Sequence, residues 1–300
     1  MNFSSCSSNK ARVPIVYLNG RFMPLEEAAI SPLDRGFIFG DGVYEVIPVY
    51  NGHLFRLDEH LRRLDLSLAG IRLAPPHDHR AWRTILEEIL RRNPGTEQSV
   101  YLQVTRGVAR RDHAFPQDTR PTVFVMSSPL EPMADSVRQR GVAAVLLEDI
   151  RWQYCHLKTI ALLPNLLLRQ EALDRGAVEA VLVRDGEVTE GAASNVFAVH
   201  GGRVVTPPKG PRLLPGITRD LVVELGRAHG LPVAEETITP EQLRTADEIW
   251  LTSSTREILP VTRLDGRPVG SGSPGPCWQR MMALYAHYKA GYRNAGRAEA

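Results

Sequence analysis

An apolar run at Ile15–Leu18 stops at Asn19-Gly20, the dipeptide that favours a two-residue β-hairpin turn. The same signal returns further on, with a strand pattern over 43–50, then Asn51-Gly52, then 53–57. Asp58 stands where a helix N-cap belongs, and beyond it Leu61, Leu64, Leu68 and Ile71 recur at helical spacing. A second amphipathic helix carries Trp82, Ile85, Leu86, Ile89 and Leu90. Strand patterns resume at 100–105 and 123–126. The polar, proline-bearing stretch 129–135 reads as a connector between domains.

Beyond it the pattern predicts a strand at 142–147, a helix over 164–175, β-rich stretches at 178–183 and 196–199, and a helix at Ile217–Ala228. Thr239-Pro240-Glu241 opens a short capped helix. A strand at 248–252, a hairpin turn at Asp265-Gly266, a loop at 270–276 and a last helix at 278–288 complete the chain. Strands and helices mix without a regular strand–helix–strand rhythm, which predicts an α+β fold rather than a doubly wound sheet. The expected organisation is a disordered arm at 1–12, a smaller domain at 13–128, the linker, a larger domain at 136–290 and a flexible tail at 291–300.

Length and composition agree: 300 residues with 43% apolar content suffice for two domains of roughly 100–200 residues. A net charge of +2 gives no footprint for nucleic acid or an anionic membrane surface. There is no run of about 18 apolar residues to span a bilayer, and the first dozen residues lack the apolar stretch of a signal peptide. Cys6, Cys155 and Cys277 are scattered and without metal spacing, as in reduced thiols of a cytoplasmic protein.

Lysine usage changes the picture. Of 36 basic residues only Lys10, Lys158, Lys209 and Lys289 are lysines, and Lys158 lies in the apolar stretch HLKTIALLPNLLL. Burial disfavours the charged form of an amine, and a neutral amine can form a Schiff base, which arginine cannot. Glu190, after a strand pattern and before the small residues of GAAS, could lie under a ligand and keep a pyridine nitrogen protonated. Pro215-Gly216-Ile217-Thr218 opens a helix whose free N–H groups suit a phosphate. Thr252-Ser253-Ser254-Thr255 at a strand end offers hydroxyls for it, and Arg63 in EHLRRL a cation. Taken singly, each has an ordinary alternative: a lysine reaching solvent, a surface turn, a plain helix cap.

Taken together and in order, DRGFIFGDGVYEVIPVYNG, EHLRRL, YLQVTRGVARRDHAFP, HLKT, VTEGAASNVF, LLPGITR and LTSSTREI resemble the fold-type IV pyridoxal-phosphate enzymes over 17–288, and among these the D-amino acid aminotransferases. The resemblance implies a two-domain fold with pyridoxal 5′-phosphate at the domain interface. Lys158 would carry the cofactor as a Schiff base and move the substrate proton, and Glu190 would pair with the ring nitrogen. Arg63, the N–H groups of Ile217 and Thr218, and Ser254 with Ser253 beside it would hold the phosphate, and Leu214 would pack on a ring face. Tyr44, Arg111 and His113 would take the substrate carboxylate, the last two reaching in from the neighbouring subunit of a homodimer.

The implied reaction is ping-pong transfer of an amino group from a D-amino acid such as D-alanine to a 2-oxo acid such as 2-oxoglutarate, giving pyruvate and D-glutamate. Branched-chain L-amino acid aminotransferases, (R)-amine transaminases and aminodeoxychorismate lyases share the fold, and the Arg111-Asp112-His113 turn favours the D-amino acid reading over them. A rival of another class is a non-enzymatic protein whose arginines meet an acidic partner. Two departures stand out: Ala192 and Ala193 occupy places where the family often has serines, and Asp112 could pair with Arg111 when no substrate is bound.

Overall fold

The computed structural model describes residues 13–295. The arm expected at 1–12 and residues 296–300 lie outside the described residues.

The first half of the chain builds a six-stranded antiparallel sheet. β1 (Ile15–Leu18) and β2 (Arg21–Pro24) form the expected hairpin, whose turn holds Asn19 at φ 48° and Gly20 at φ 92°. A five-residue helix that no periodicity announces, α1 (Arg35–Phe39), precedes β3 (Gly42–Tyr50) and β4 (His53–Leu54). The helices α2 (Leu57–Gly70) and α3 (His79–Arg92) follow, then β5 (Glu97–Thr105) and β6 (Thr122–Pro129). The strand order is β2-β1-β6-β5-β3-β4. Val43, Ile47, Val100 and Val125 on the sheet pack against Leu61, Leu64, Leu68, Trp82 and Leu86 on the helices, all buried.

The cap of α2 differs from expectation. Arg56, in the left-handed region at φ 52°, is the N-cap, and Asp58 sits inside the first turn, bound to Arg83 at 2.9 Å. Arg56 is held there by Glu224 through two hydrogen bonds of 2.6 and 2.9 Å, so a long-range ion pair sets the helix start. Asp58 still favours the positive end of the helix dipole.

The second half opens with α4 (Asp135–Arg140) and β7 (Val142–Glu148), followed by α5 (Leu163–Asp174), β8 (Glu179–Arg184), β9 (Glu187–Gly191), β10 (Asn195–His200) and β11 (Arg203–Thr206). After α6 (Ile217–Ala228) come β12 (Val233–Glu235), α7 (Pro240–Arg244), β13 (Glu248–Ser253), β14 (Glu257–Leu264), β15 (Arg267–Pro268) and α8 (Pro276–Ala295). The strands run β12-β11-β10-β13-β14-β7-β8-β9, with β15 beside β14. Three pairs are parallel: β7 with β8, β7 with β14, and β11 with β12. Val188 N on β9 donates to Ile238 O at 2.8 Å, so the β9 edge meets the chain just beyond β12 at the other edge. The fold is α+β, as the mixed pattern predicts.

α8 is longer than expected and runs through residues 291–295 of the stretch read as a tail. Its last turns have an apolar anchor, since the rings of Tyr288 and Tyr292 lie 5.8 and 4.8 Å from that of Phe55. Phe55 and Tyr50 belong to the first half of the chain, so this cluster, with Leu221, Trp278 and Tyr285, fastens the two halves together.

Candidate active site

Lys158 stands where the two sheets meet. Residues 158–160 lie antiparallel against the start of β3: Tyr44 N donates to Lys158 O at 3.0 Å, and Ile160 N to Gly42 O at 3.1 Å. Ser67 Oγ of α2 accepts from Lys158 N at 3.1 Å. The first sheet and its helix thus hold the lysine backbone, while its Nζ lies 4.2 Å from the centroid of the Tyr44 ring. Among the described residues no carboxylate pairs with that amine. It faces a cavity of about 420 Å³, which Tyr44, Arg63, Glu190, Leu214, Ile217, Thr218, Ser253 and Ser254 also line.

One part of the cavity wall carries a buried acid. Glu190, at the end of β9 and 4% exposed, receives three hydrogen bonds: from Arg151 Nη1 at 2.5 Å, Asn195 Nδ2 at 3.2 Å and Leu214 N at 3.0 Å. Burial pushes its pKa up to about 7, against the opposing pull of Arg151 and the Leu214 N–H. Arg151 is itself anchored by buried Asp149 at 2.9 Å. The carboxylate is therefore fixed in place and costly to keep charged, a condition that a cationic ring nitrogen beside it would relieve.

Another part of the wall suits an anion. α6 begins at Gly216, which has no side-chain cap, so the first N–H groups of the helix, those of Ile217 and Thr218, have no partner within it. Gly216 leaves room for a close approach: a Cβ there would stand 2.0 Å from Asn195 Oδ1, and the amide would have to shift. Arg63 Nη1 donates to Pro215 O at 3.0 Å, placing the guanidinium beside that helix start. Thr252 Oγ1 is buried in the same cavity with no hydrogen-bond partner. An orphan hydroxyl, open helix N–H groups and a guanidinium fit a phosphate, and Glu190 fits a protonated ring nitrogen, so the residues present suit pyridoxal phosphate.

Arg63 is oriented by a residue that the sequence does not advertise. Glu45, fully buried on β3, accepts from Arg63 Nε at 2.8 Å and Nη2 at 2.7 Å, and from His60 Nδ1 at 2.8 Å. The fork and the bond to Pro215 O together leave two of the five arginine N–H donors free. Burial alone would raise the Glu45 pKa, but Arg63 and His60 together outweigh it and hold the value near 2. Its contribution to stability is thus complete above its ordinary 4.5 and lost as pH falls from there towards about 2. Burial also lowers the His60 pKa, so acid destabilises through both groups. Glu45→Gln should cost ~3–5 kcal/mol by stranding Arg63. Urea midpoints of the variant should also fall less than those of the parent between about pH 5 and about pH 3. Parallel pH profiles would show that Glu45 is not the group responsible.

Arg111 and His113 do not line the cavity of their own chain. Both are exposed, packed about the Phe39 ring, with the Arg111 guanidinium carbon 5.5 Å and the His113 ring 5.6 Å from its centroid. The turn is nonetheless held: Arg35, 4% exposed on α1, donates to Asp112 O at 2.6 Å and Ala114 O at 3.3 Å, and pairs with Asp41 at 2.8 Å. Arg106 pairs with the same Asp41 at 2.8 Å. The expected Asp112–Arg111 pair is absent among the described residues; Asp112 Oδ1 accepts from Ala114 N at 3.1 Å and so closes the turn instead. The DRG…FGDG stretch therefore builds the platform under this turn, with Asp34 capping α1 and taking the Thr122 hydroxyl at 2.6 Å. Sequence reasoning overlooked Glu45, Arg151 and Arg35. Glu45 shows only as a charge inside an apolar strand and Arg35 and Arg151 only as charges near other acids, while the groups they aim, Arg63, the Asp112–Ala114 turn and Glu190, lie elsewhere in the chain.

The chain belongs to the class IV aminotransferases: the model of that family, Amino-transferase class IV, matches residues 42–264. A D-alanine aminotransferase of Bacillus licheniformis is 42% identical over 261 residues, 87% of this chain and 92% of that protein. One of Staphylococcus haemolyticus is 36% identical over 274 residues, 91% of this chain and 97% of that protein. Among solved structures, the Escherichia coli branched-chain amino acid aminotransferase superposes with a TM-score of 0.88 at 26% identity, covering 92% of this chain and 94% of that one. The branched-chain aminotransferase of Thermoproteus uzoniensis with norvaline gives 0.86 at 27% identity, covering 93% and 95%. No helix among the described residues is long and apolar enough to cross a membrane.

Proposed function

We propose that the protein is a pyridoxal-phosphate-dependent D-amino acid aminotransferase, passing the amino group of a D-amino acid such as D-alanine to a 2-oxo acid such as 2-oxoglutarate. The observation that carries this is the single cavity in which an unpaired lysine amine, a buried carboxylate and an open helix start meet. The choice of D over branched-chain L substrates rests on the relatives named D-alanine aminotransferase, which exceed in identity the branched-chain neighbours in structure.

Pyridoxal phosphate, when bound, supplies an electron sink that makes the substrate Cα–H acidic. Lys158 would hold it covalently at rest, and its amine, when free, is placed to take a proton at the substrate Cα and give it up at C4′ of the cofactor. Glu190 would keep the proton on the ring nitrogen. Arg63, the N–H groups of Ile217 and Thr218, Ser253 and Ser254 would bind the phosphate, and Leu214 would back the ring. The Arg111 fork, with His113 and Tyr44, receives the substrate carboxylate and so decides which enantiomer turns its Cα–H towards Lys158.

Because Arg111 and His113 project from their own subunit, the working unit in this proposal is a homodimer, each subunit completing the other's site. Exposed Trp152, Tyr154, Leu163, Leu166 and Leu167 beside the cavity support a second copy as the cover of this face. The proposal includes two domains, at 13–128 and 136–290 with the linker between them, and a cytoplasmic location. Given D-alanine and no acceptor, the cofactor-loaded protein should release about one pyruvate per site and stop, as a ping-pong enzyme does. Continuous release without acceptor, or none at all, would count against the transfer.

A further inference from the structure

A second cavity, of about 300 Å³, adjoins the first, and the two share two lining residues, Arg169 and Arg256. Arg169 projects from α5, and Arg256 follows the Ser253-Ser254-Thr255 turn between β13 and β14. The turn is pinned just after Arg256. Glu257 adopts φ 55°, strained for its side chain, and is held there by hydrogen bonds from the Tyr50 hydroxyl at 3.2 Å and Lys289 Nζ at 2.5 Å.

The two guanidiniums are unequally served. Arg169 Nη1 donates to Glu179 Oε2 at 3.2 Å. Glu179 is buried and already engaged, accepting from Ser194 Oγ at 3.2 Å and Ala180 N at 3.2 Å. Arg256 has neither a hydrogen bond nor an ion pair among the described residues. Desolvation and the neighbouring charge of Arg169 push its pKa down, and Glu179 offsets this only in part. Arg169 and Arg256 share the single Glu179 carboxylate, while Glu257 is taken by Lys289, so positive charge is in excess where the two arginines line the rim of the cavity that Lys158 faces. A guanidinium fork without a partner matches a carboxylate in two-point geometry.

We propose that Arg256, backed by Arg169, receives the distal carboxylate of an acidic substrate, a dicarboxylic 2-oxo acid or the matching D-amino acid. This inference rests on the transamination reading and adds a preference for an acidic partner substrate. Arg256 acts by contact with substrate and takes no part in the proton transfers.

The test compares Arg256→Gln with the parent holoenzyme in each half-reaction. kcat/KM for 2-oxoglutarate and D-glutamate should fall at least tenfold, chiefly through KM, while that for pyruvate and D-alanine should change less than about twofold. Arg256→Lys, which keeps the charge but loses the fork, should fall between. An equal loss for D-alanine and D-glutamate would overturn the assignment, as would weaker binding of the cofactor, which would place Arg256 with the phosphate contacts. A binding arm stands without turnover: glutarate should bind the parent holoprotein at least tenfold more tightly than butyrate, and Arg256→Gln should erase the difference. A parent inactive on every D-amino acid that still discriminates glutarate would sink the stereochemical reading and leave the recess standing. Equal affinity for the two acids would sink the recess alone.

Discussion

Lys158→Ala is expected to reduce transamination to background in a protein that stays folded. Two functions disappear with one amine. The general base alone typically contributes ~10²–10⁴-fold, and in the proposed mechanism the same nitrogen would carry the cofactor. The backbone of this residue is held independently of its side chain, by Tyr44 N, Ser67 Oγ and the 158–160 pairing with β3, so the substitution leaves the cavity wall in place. A small primary amine added to the variant should restore part of the activity, which a misfolded protein could not show. Lys158→Ala with ordinary turnover would end the proposed mechanism.

Arg111→Ala should lower kcat/KM for D-alanine by ~10²–10³-fold, as expected when a bound carboxylate loses a charged, forked partner. The structure makes a sharper version of this test available. Arg111 lies on an exposed turn held by Arg35 from beneath, outside the cavity of its own chain. If it serves the neighbouring subunit, mixed dimers of Lys158→Ala and Arg111→Ala chains contain one intact site each. Refolded together, the two inactive variants should regain activity that neither shows alone. Failure to complement, with Arg111→Ala impaired, would mean that the arginine acts within its own subunit. Unchanged kcat/KM in Arg111→Ala would remove it from substrate binding altogether.

Much of the frame was legible because it is written in short-range signals. Asn-Gly turns marked two hairpins, a 3.6-residue apolar repeat marked α2 and α3, and Thr239 with Pro240 marked α7, whose capping box the structure contains. Elements without such a signal were missed. The five residues of α1 are too few to show a period, and the start of α2 is set by Glu224, 168 residues away from Arg56. The length of α8 was misjudged because its last turns are anchored by Phe55, far away in the chain.

The site divides in the same way. Lys158, Glu190 and the Gly216 helix start were weak signals singly and informative only as an ordered set. The groups that aim them could not be read at all. Glu45 looks like one more alternating residue of β3, and Arg151 like a charge in a loop. A buried ion pair is a contact between distant positions, and one sequence does not record which acid meets which base. Arg256 is the converse case: its place in the LTSSTREI motif was plain, but its lack of a partner appears only in the fold.

The most direct measurement is pyruvate release by the purified, cofactor-loaded protein from D-alanine and from L-alanine, each with 2-oxoglutarate present. Pyruvate from D-alanine alone, accompanied by an equal amount of D-glutamate, is the expected result. Pyruvate from L-alanine, or from neither enantiomer in a protein that still carries its cofactor on Lys158, would contradict D-amino acid transamination.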